Sequence, residues 1–239
     1  MINIPISAEA RRVFRLALFV CMLVSHMTQA QSWKWSIGPS LTNYQFQNSK
    51  GIAVDGMKPS SGLYVEMNQE RVLLDTVRLI SRLSNKAVYF SNHPRLTTVL
   101  SYLHYAVGLN YHQLNSIGDI QQISFSYQTD FIGFSAEFGP RIPIYKGWDL
   151  RLSGVLMGMQ LIAGNQLLSS RYYDLREDPQ FNSFKILGGY QVEVSKEVSQ
   201  KVRAFARIRR TSTLSAPQTP TGRLDLQPLT FSMGISLSR

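Results

Sequence analysis

The chain has 239 residues, and its 25 lysines and arginines outnumber 15 aspartates and glutamates, giving a formal net charge of +10. The basic residues are dispersed, with no run longer than Arg209–Arg210, which argues against nucleic acid as a partner. A single cysteine, Cys21, excludes a disulfide framework.

Residues 1–30 are predicted to be a secretory signal peptide. Arg11, Arg12 and Arg15 form a basic start, and the apolar run Leu16–Val24 follows. Small residues in Thr28-Gln29-Ala30 predict cleavage after Ala30. The apolar run is too short for a transmembrane helix, which needs about 20 residues. We therefore expect export of one domain, residues 31–239.

From Trp33 onwards, apolar and polar residues alternate with the period of two that predicts β-strands. The ten predicted strands are 33–42, 63–68, 72–83, 102–112, 123–128, 132–142, 148–162, 184–195, 202–209 and 229–238. A change of face within residues 148–162 predicts a β-bulge.

The predicted connections alternate in length if a tight hairpin closes near Thr129-Asp130. The short ones are 69–70, 114–119, 146–147 and 196–200, and the long ones are 47–58, 85–95, 163–182 and 212–227. Short periplasmic turns and long outer loops are typical of transmembrane barrels. We expect an all-β, closed, antiparallel up-and-down transmembrane barrel of eight to ten strands, ten being preferred. It is expected to lie in a bacterial outer membrane, with both chain ends on the periplasmic side.

The polar faces of these strands are predicted to point into the barrel. They carry small residues that suit a curved interior, and aromatic residues gather near strand ends, as in membrane girdles. The predicted lumen charge network is Glu66, Arg78, Arg82, Glu137, Arg141, Arg151, Glu193, Arg203 and Arg207, with Lys34 and Arg209 on the same face. The alternative is a soluble, lipocalin-like binding barrel, in which the apolar faces point inward and the charged faces point into water.

Three segments of the C-terminal half carry a family resemblance. These are FIGFSAEFGPRIPIYKGWDLRLSG from Phe131, FKILGGYQVEVSKEVSQKVRAFARIRRTS from Phe184 and LTFSMGISLSR from Leu229. They resemble the paired, glycine-rich and closing strands of the porin-family outer-membrane β-barrel proteins of Bacteroidetes. The resemblance implies a barrel without cofactor or shared catalytic site, in a family that includes passive barrels and parts of secretion assemblies. The chain departs from the family's usual eight strands by an apparent extra hairpin around residues 96–128.

The sequence predicts no catalysis, no cofactor and no metal. His104 and His112 share a polar face but lie eight residues apart, about 26 Å along a strand, too far to ligate one metal together. The alternative is an outer-membrane barrel enzyme acting on lipid or peptide at the rim, with one histidine, Asp119 and an inward serine.

The longest loop is predicted to be a contact surface. Arg171, Tyr172, Tyr173 and Arg176 combine aromatic and charged side chains, as contact surfaces do. We expect a structural or interaction role, with outer-membrane lipid around the barrel and a protein or surface glycan at this loop.

Overall fold

The computed structural model describes residues 32–48, 53–54, 57–74, 94–120, 123–168, 170–215 and 222–238. The predicted signal peptide lies outside the described residues, as do most of the predicted strand 72–83 and its Arg78 and Arg82.

The described chain is dominated by long β-strands, as the alternating pattern predicts. In chain order, the elements are β1 (Ser32–Asn48), β2 (Ala53–Val54), β3 (Met57–Val72), α1 (Pro94–Tyr102), β4 (Leu103–Ile120), β5 (Ile123–Tyr145), β6 (Trp148–Leu168), β7 (Arg171–Asp174), a 3-10 turn (Leu175–Glu177), α2 (Pro179–Asn182), β8 (Lys185–Ser199), β9 (Val202–Ser215) and β10 (Gly222–Ser238). No helix in these described ranges has the length and hydrophobicity to cross a membrane.

Eight long strands form a closed antiparallel ring. Its order is β1-β3-β4-β5-β6-β8-β9-β10, and β10 pairs back onto β1 from Ser32↔Ser238 to Asn48↔Gly222. The short strands β2 and β7 extend the sheet beside the ends of β1 and β6. The predicted all-β, closed, up-and-down barrel is confirmed.

The ring has eight long strands, within the predicted range but not the preferred ten. The hairpin predicted at Thr129-Asp130 is wrong, because β5 runs unbroken through these residues. The register shifts there by one residue and leaves Ile162 of β6 without a partner, so this bulge lies at the end of the predicted strand 148–162 and not midway along it. The apparent extra hairpin around residues 96–128 is likewise absent, since 94–102 is a helix and 103–120 is one strand.

We call the end of the barrel with Ser32 and Ser238 the near rim, and the end with Asn48 and Gly222 the far rim. The tight turns at Lys146-Gly147 and Gln200-Lys201 lie at the near rim. Connection 85–95, which was predicted among the long outer loops, lies mostly outside the described residues. Its flanking strands meet at Val72↔His104, which is a near-rim pair.

The outward surface is apolar along the near half of the barrel. We call this surface the apolar band; its large exposed side chains include Trp35, Ile37, Leu41, Leu63, Val65, Leu109, Ile132, Phe134, Phe138, Ile142, Trp148, Leu152, Leu156, Val192, Val194, Ile208, Phe231, Met233, Ile235 and Leu237. Beyond the band, most outward positions of the far half are polar, as at Asn43, Gln45, Gln113, Asn115, Gln128, Asp130 and Gln227, although Ile117, Ile162 and Leu214 are exposed there.

The inward surface changes in the opposite sense. In the near half most inward side chains are charged or polar, with Tyr64 and Phe205 among them, whereas in the far half many form an apolar cluster. On β1, for example, inward Lys34 and Ser36 give way to Tyr44, while outward Trp35 and Ile37 give way to Gln45. The barrel therefore reverses its inside and outside polarity part-way along its axis.

Candidate functional site

The near half of the lumen holds a group of buried charges that we call the lumen charge cluster. Its members are Lys34, Glu66, Glu70, Glu137, Arg141, Arg151, Glu193, Arg207 and Arg209, contributed by six of the long strands. Every member occupies an inward position of its strand. Because successive residues of a strand point to opposite faces, the pattern that puts apolar residues in the outward band also brings these charges together in the lumen. Every member except Arg141 is almost completely shielded from solvent.

Glu70 is the centre of the part of the cluster nearest the near rim. Lys34 Nζ lies 3.2 Å from Glu70 Oε2, and Arg141 Nη2 lies 2.6 Å from Glu70 Oε1. Arg151 Nη1 lies 3.4 Å from Glu70 Oε2 and 3.3 Å from Glu137 Oε2. Through Arg151, this carboxylate is connected to the deeper part of the cluster.

The deeper part pairs Arg207 and Arg209 with several carboxylates at once. Arg207 contacts Glu66, and its Nη2 donates to Glu193 Oε2 at 3.0 Å. Arg209 Nη2 donates to Glu66 Oε2 at 3.1 Å and to Glu137 Oε1 at 2.5 Å. Glu193 also contacts Lys34, which closes the connection between the two parts.

Neutral side chains satisfy further oxygens of the cluster. Ser135 Oγ donates to Glu66 Oε1 at 2.7 Å, and Gln191 Nε2 donates to Glu137 Oε2 at 2.7 Å. The Phe205 ring lies 4.6 Å from Lys34 Nζ and 5.1 Å from the Arg207 guanidinium carbon. Burying an ion is costly unless it is paired and hydrogen-bonded, and the carboxylates of Glu66, Glu137 and Glu193 meet both conditions. Glu70 and Arg151 are paired by charge, but their buried polar atoms form no hydrogen bond.

Most of the predicted lumen charge network is brought together here: Glu66, Glu137, Arg141, Arg151, Glu193 and Arg207 are all members. Arg203 lies at the near rim, where it pairs with Asp149 and Glu197. Glu70 was missed because residues 69–70 were assigned to a turn, whereas they lie inside β3. The extended alternation from Tyr64 through Glu66 and Asn68 to Glu70 is the signal that would have found it.

The two histidines of the predicted alternative enzyme lie at different levels of the lumen. His104 Nδ1 is 2.9 Å from Glu70 Oε1. His112 packs edge-on against Tyr64, with ring centroids 4.2 Å apart, and neither of its ring nitrogens has a hydrogen-bond partner. In the described ranges no three His, Cys, Asp or Glu residues are grouped to hold a metal ion.

The far half of the lumen contains an apolar cluster that the sequence did not predict. We call it the far core; it comprises Tyr44, Leu114, Phe131, Val155, Met157, Met159, Leu161, Leu175, Phe181, Leu187, Leu224 and Leu226. Two members, Leu175 and Phe181, come from the connection between β6 and β8. The Phe181 ring stacks on Tyr127 with centroids 5.3 Å apart. This connection is therefore anchored inside the far rim.

The predicted contact residues lie on the exposed part of the same connection. Arg171, Tyr172 and Tyr173 form β7, whose pairing with β6 extends a hairpin beyond the ring, and Tyr172 is 77% exposed. Arg176 donates to Asp174 Oδ2 at 2.6 Å through Nη2, and its hydrogen bonds lower the pKa of the Asp174 carboxyl. Asp174 also caps the 3-10 turn by accepting from the Arg176 backbone N–H at 2.9 Å. The four side chains are thus presented on an ordered hairpin.

No protein-family model matches the chain, and no curated protein matches its sequence. Solved structures of similar fold include Neisserial surface protein A, at 11% identity and a TM-score of 0.45, covering 88% of this chain and 98% of that one. Another is a major outer membrane protein from Thermus thermophilus, at 9% identity and a TM-score of 0.42, covering 86% and 98%. A third is Ail, the attachment invasion locus protein of Yersinia pestis, solved with the heparin analogue sucrose octasulfate, at 10% identity and a TM-score of 0.38, covering 86% and 98%.

Proposed function

We propose that this protein is a small β-barrel of the bacterial outer membrane with a structural or interaction role. The observation that carries the proposal is the reversal of polarity along the barrel axis. A protein surrounded by hydrocarbon needs an apolar outside and can keep charges within, whereas a protein surrounded by water needs the opposite arrangement. The near half of the barrel has the arrangement suited to hydrocarbon, and the far half has the arrangement suited to water.

The length of the apolar band supports insertion of the near half. Residues 33–41, 103–111, 148–156 and 229–237 each give nine residues with apolar outward positions. A tilted strand needs about 9–11 residues to cross a bilayer. The ring is closed by β10 and β1, so the backbone of the band is hydrogen-bonded within the protein, as the hydrocarbon interior requires.

The proposed role does not include catalysis or free diffusion through the lumen. The lumen charge cluster fills the near half and the far core fills the far half, so the interior side chains serve folding. The far-rim hairpin is the part of the molecule available for recognition, because loops on rigid scaffolds commonly carry binding. Tyrosine and arginine, of which it presents two each, suit contact with a protein or a surface glycan.

The proposal is tested by membrane insertion of the folded protein. We expect the detergent-extracted protein to migrate differently on gels before and after boiling, and its strands in vesicles to resist added protease. Identical migration in both states, together with complete digestion of the vesicle-bound protein, would contradict insertion. A photo-crosslinker placed at Tyr172 in cells then tests the interaction role, and the same group at Lys58, exposed in the far half, is the control.

A further inference from the structure

The near rim places lysine side chains on aromatic rings at the end of the apolar band. Lys146 Nζ lies 5.0 Å from the centroid of the Tyr145 ring, and Lys196 Nζ lies 5.2 Å from the centroid of the Trp148 ring. Tyr145 and Trp148 are both exposed on the outside of the barrel. An ammonium group held above such a ring stands at the border between hydrocarbon and water.

Two neighbouring turns hold these lysines on one side of the barrel. Lys146 and Gly147 both have positive φ, at 37° and 81°, and form the tight turn between β5 and β6. The Glu197 backbone N–H donates to the Gly147 carbonyl at 2.9 Å, and Trp148 lies opposite Lys196 in register. Lys201 lies in the adjacent turn between β8 and β9. We call Lys146, Lys196 and Lys201 the lysine arc.

The lysine arc gives the described part of the near rim a net positive charge, because Asp149 and Glu197 share one arginine and offset only one of the three lysines. Within the described residues, no carboxylate forms an ion pair with any of the three lysines, and the neighbouring acids Asp149 and Glu197 both pair with Arg203. Exposed cations of the far half, such as Lys58 and Arg210, also lack an ion pair among the described residues, but the cation–ring contacts on the outside of the described barrel are both at the near rim.

We propose that the lysine arc binds the headgroups of anionic phospholipids in the leaflet at the near rim. The inference rests on the proposed insertion of the near half in a membrane. Aromatic side chains at the end of a membrane-spanning band lie at headgroup level, so the adjacent ammonium groups meet the phosphates there. Lysine is suited to this role as a compact, mobile point charge, whereas the arginines nearby are engaged in ion pairs.

Trp148 provides a local reporter for the test. It is one of three tryptophans, so Trp33→Phe with Trp35→Phe leaves it as the single fluorophore beside Lys196. The refolded protein is placed in phosphatidylcholine vesicles containing either brominated phosphatidylglycerol or brominated phosphatidylcholine, and quenching is measured. We expect roughly fivefold stronger association of the brominated phosphatidylglycerol, decreasing as salt is raised.

A charge-removal triple variant, Lys146→Gln, Lys196→Gln and Lys201→Gln, should abolish this preference while heat-modifiable migration persists. The matched control, Lys58→Gln, Arg210→Gln and Arg223→Gln, removes three cations of the far half, which lie farther from Trp148, and should retain it. Equal quenching by both lipids in the parent protein, or a preference that survives salt or loss of the lysines, would overturn the inference. Absence of quenching by either lipid would instead contradict insertion of the near half.

Discussion

Arg207 and Arg210 lie three residues apart on β9 in opposite environments. Arg207 points inward and contacts Glu66, Glu137 and Glu193, whereas Arg210 points outward and is exposed. Removing the Arg207 side chain leaves buried carboxylates with fewer partners. Removing the Arg210 side chain affects a position that water already solvates. The lumen charge cluster can be tested with two substitutions of one residue type on one strand.

We expect Arg207→Ala to lower the free energy of unfolding by about 3–5 kcal/mol, the usual cost of leaving a buried charge uncompensated. Arg210→Ala should change it by less than about 0.5 kcal/mol, as exposed substitutions do. Urea titration of the vesicle-inserted proteins, followed by tryptophan fluorescence, measures both. Similar losses in the two variants would show that the cluster contributes little beyond generic side-chain packing.

Outward residues of β10 test the limits of the apolar band. Phe231 lies within the band and Gln227 lies beyond it on the same face of the strand. Phe231→Arg should cost about 2–4 kcal/mol of folding free energy if position 231 is near the bilayer centre, because the charge must leave water. Gln227→Arg should cost close to nothing in the same unfolding assay. A negligible cost at position 231 would mean that the outward face is not lipid-exposed.

At the scale of elements, the β6–β8 connection combines two roles in one segment. Leu175 and Phe181 are buried in the far core, while Arg171, Tyr172, Tyr173 and Arg176 project from the far rim. Replacing residues 167–181 by a tight turn would remove both sets at once. Point substitutions can instead change the buried anchor residues, Leu175 and Phe181, separately from the exposed contact residues.

Phe181→Ala should reduce the free energy of unfolding by about 3–5 kcal/mol, the range for truncating a buried aromatic side chain. The quadruple change Arg171→Gln, Tyr172→Ser, Tyr173→Ser and Arg176→Gln should leave that energy nearly unchanged while abolishing crosslinking from a photo-crosslinker at Ser170. Chemical unfolding measures the loss of stability, and crosslinking from position 170 measures the loss of contact. If the quadruple variant still crosslinks at parent level, the predicted contact residues do not form the contact.

For the molecule as a whole, alternation allowed the strands of the barrel to be predicted, because the period of two is a local property of each strand. Connections depend on pairing between distant segments, and so Thr129-Asp130 and residues 69–70 looked like turns although both lie within strands. The far core escaped prediction because alternation does not reveal which side is wet. On β6 the change of face comes from two features, the inward apolar run starting at Val155 and the bulge at Ile162.

The proposed filling of the lumen predicts a closed barrel in electrical recordings. We expect reconstituted protein in planar bilayers to lack steady nanosiemens conductance, since eight strands leave an interior that side chains can fill. Any residual leak should favour anions, because the lumen charge cluster has five cationic and four acidic members. A stable cation-selective conductance from heat-modifiable protein would contradict both expectations.

The seam between β1 and β10 has a consequence for the kinetics of folding. It joins segments about 200 residues apart, and until it forms, both strands keep an unpaired edge along their full length. Contacts of such long sequence separation form slowly, and open edges pair readily with other chains. Aggregation should therefore compete with the last step of assembly, and substitutions along the seam should change the yield of folded protein more than the lifetime of the finished barrel.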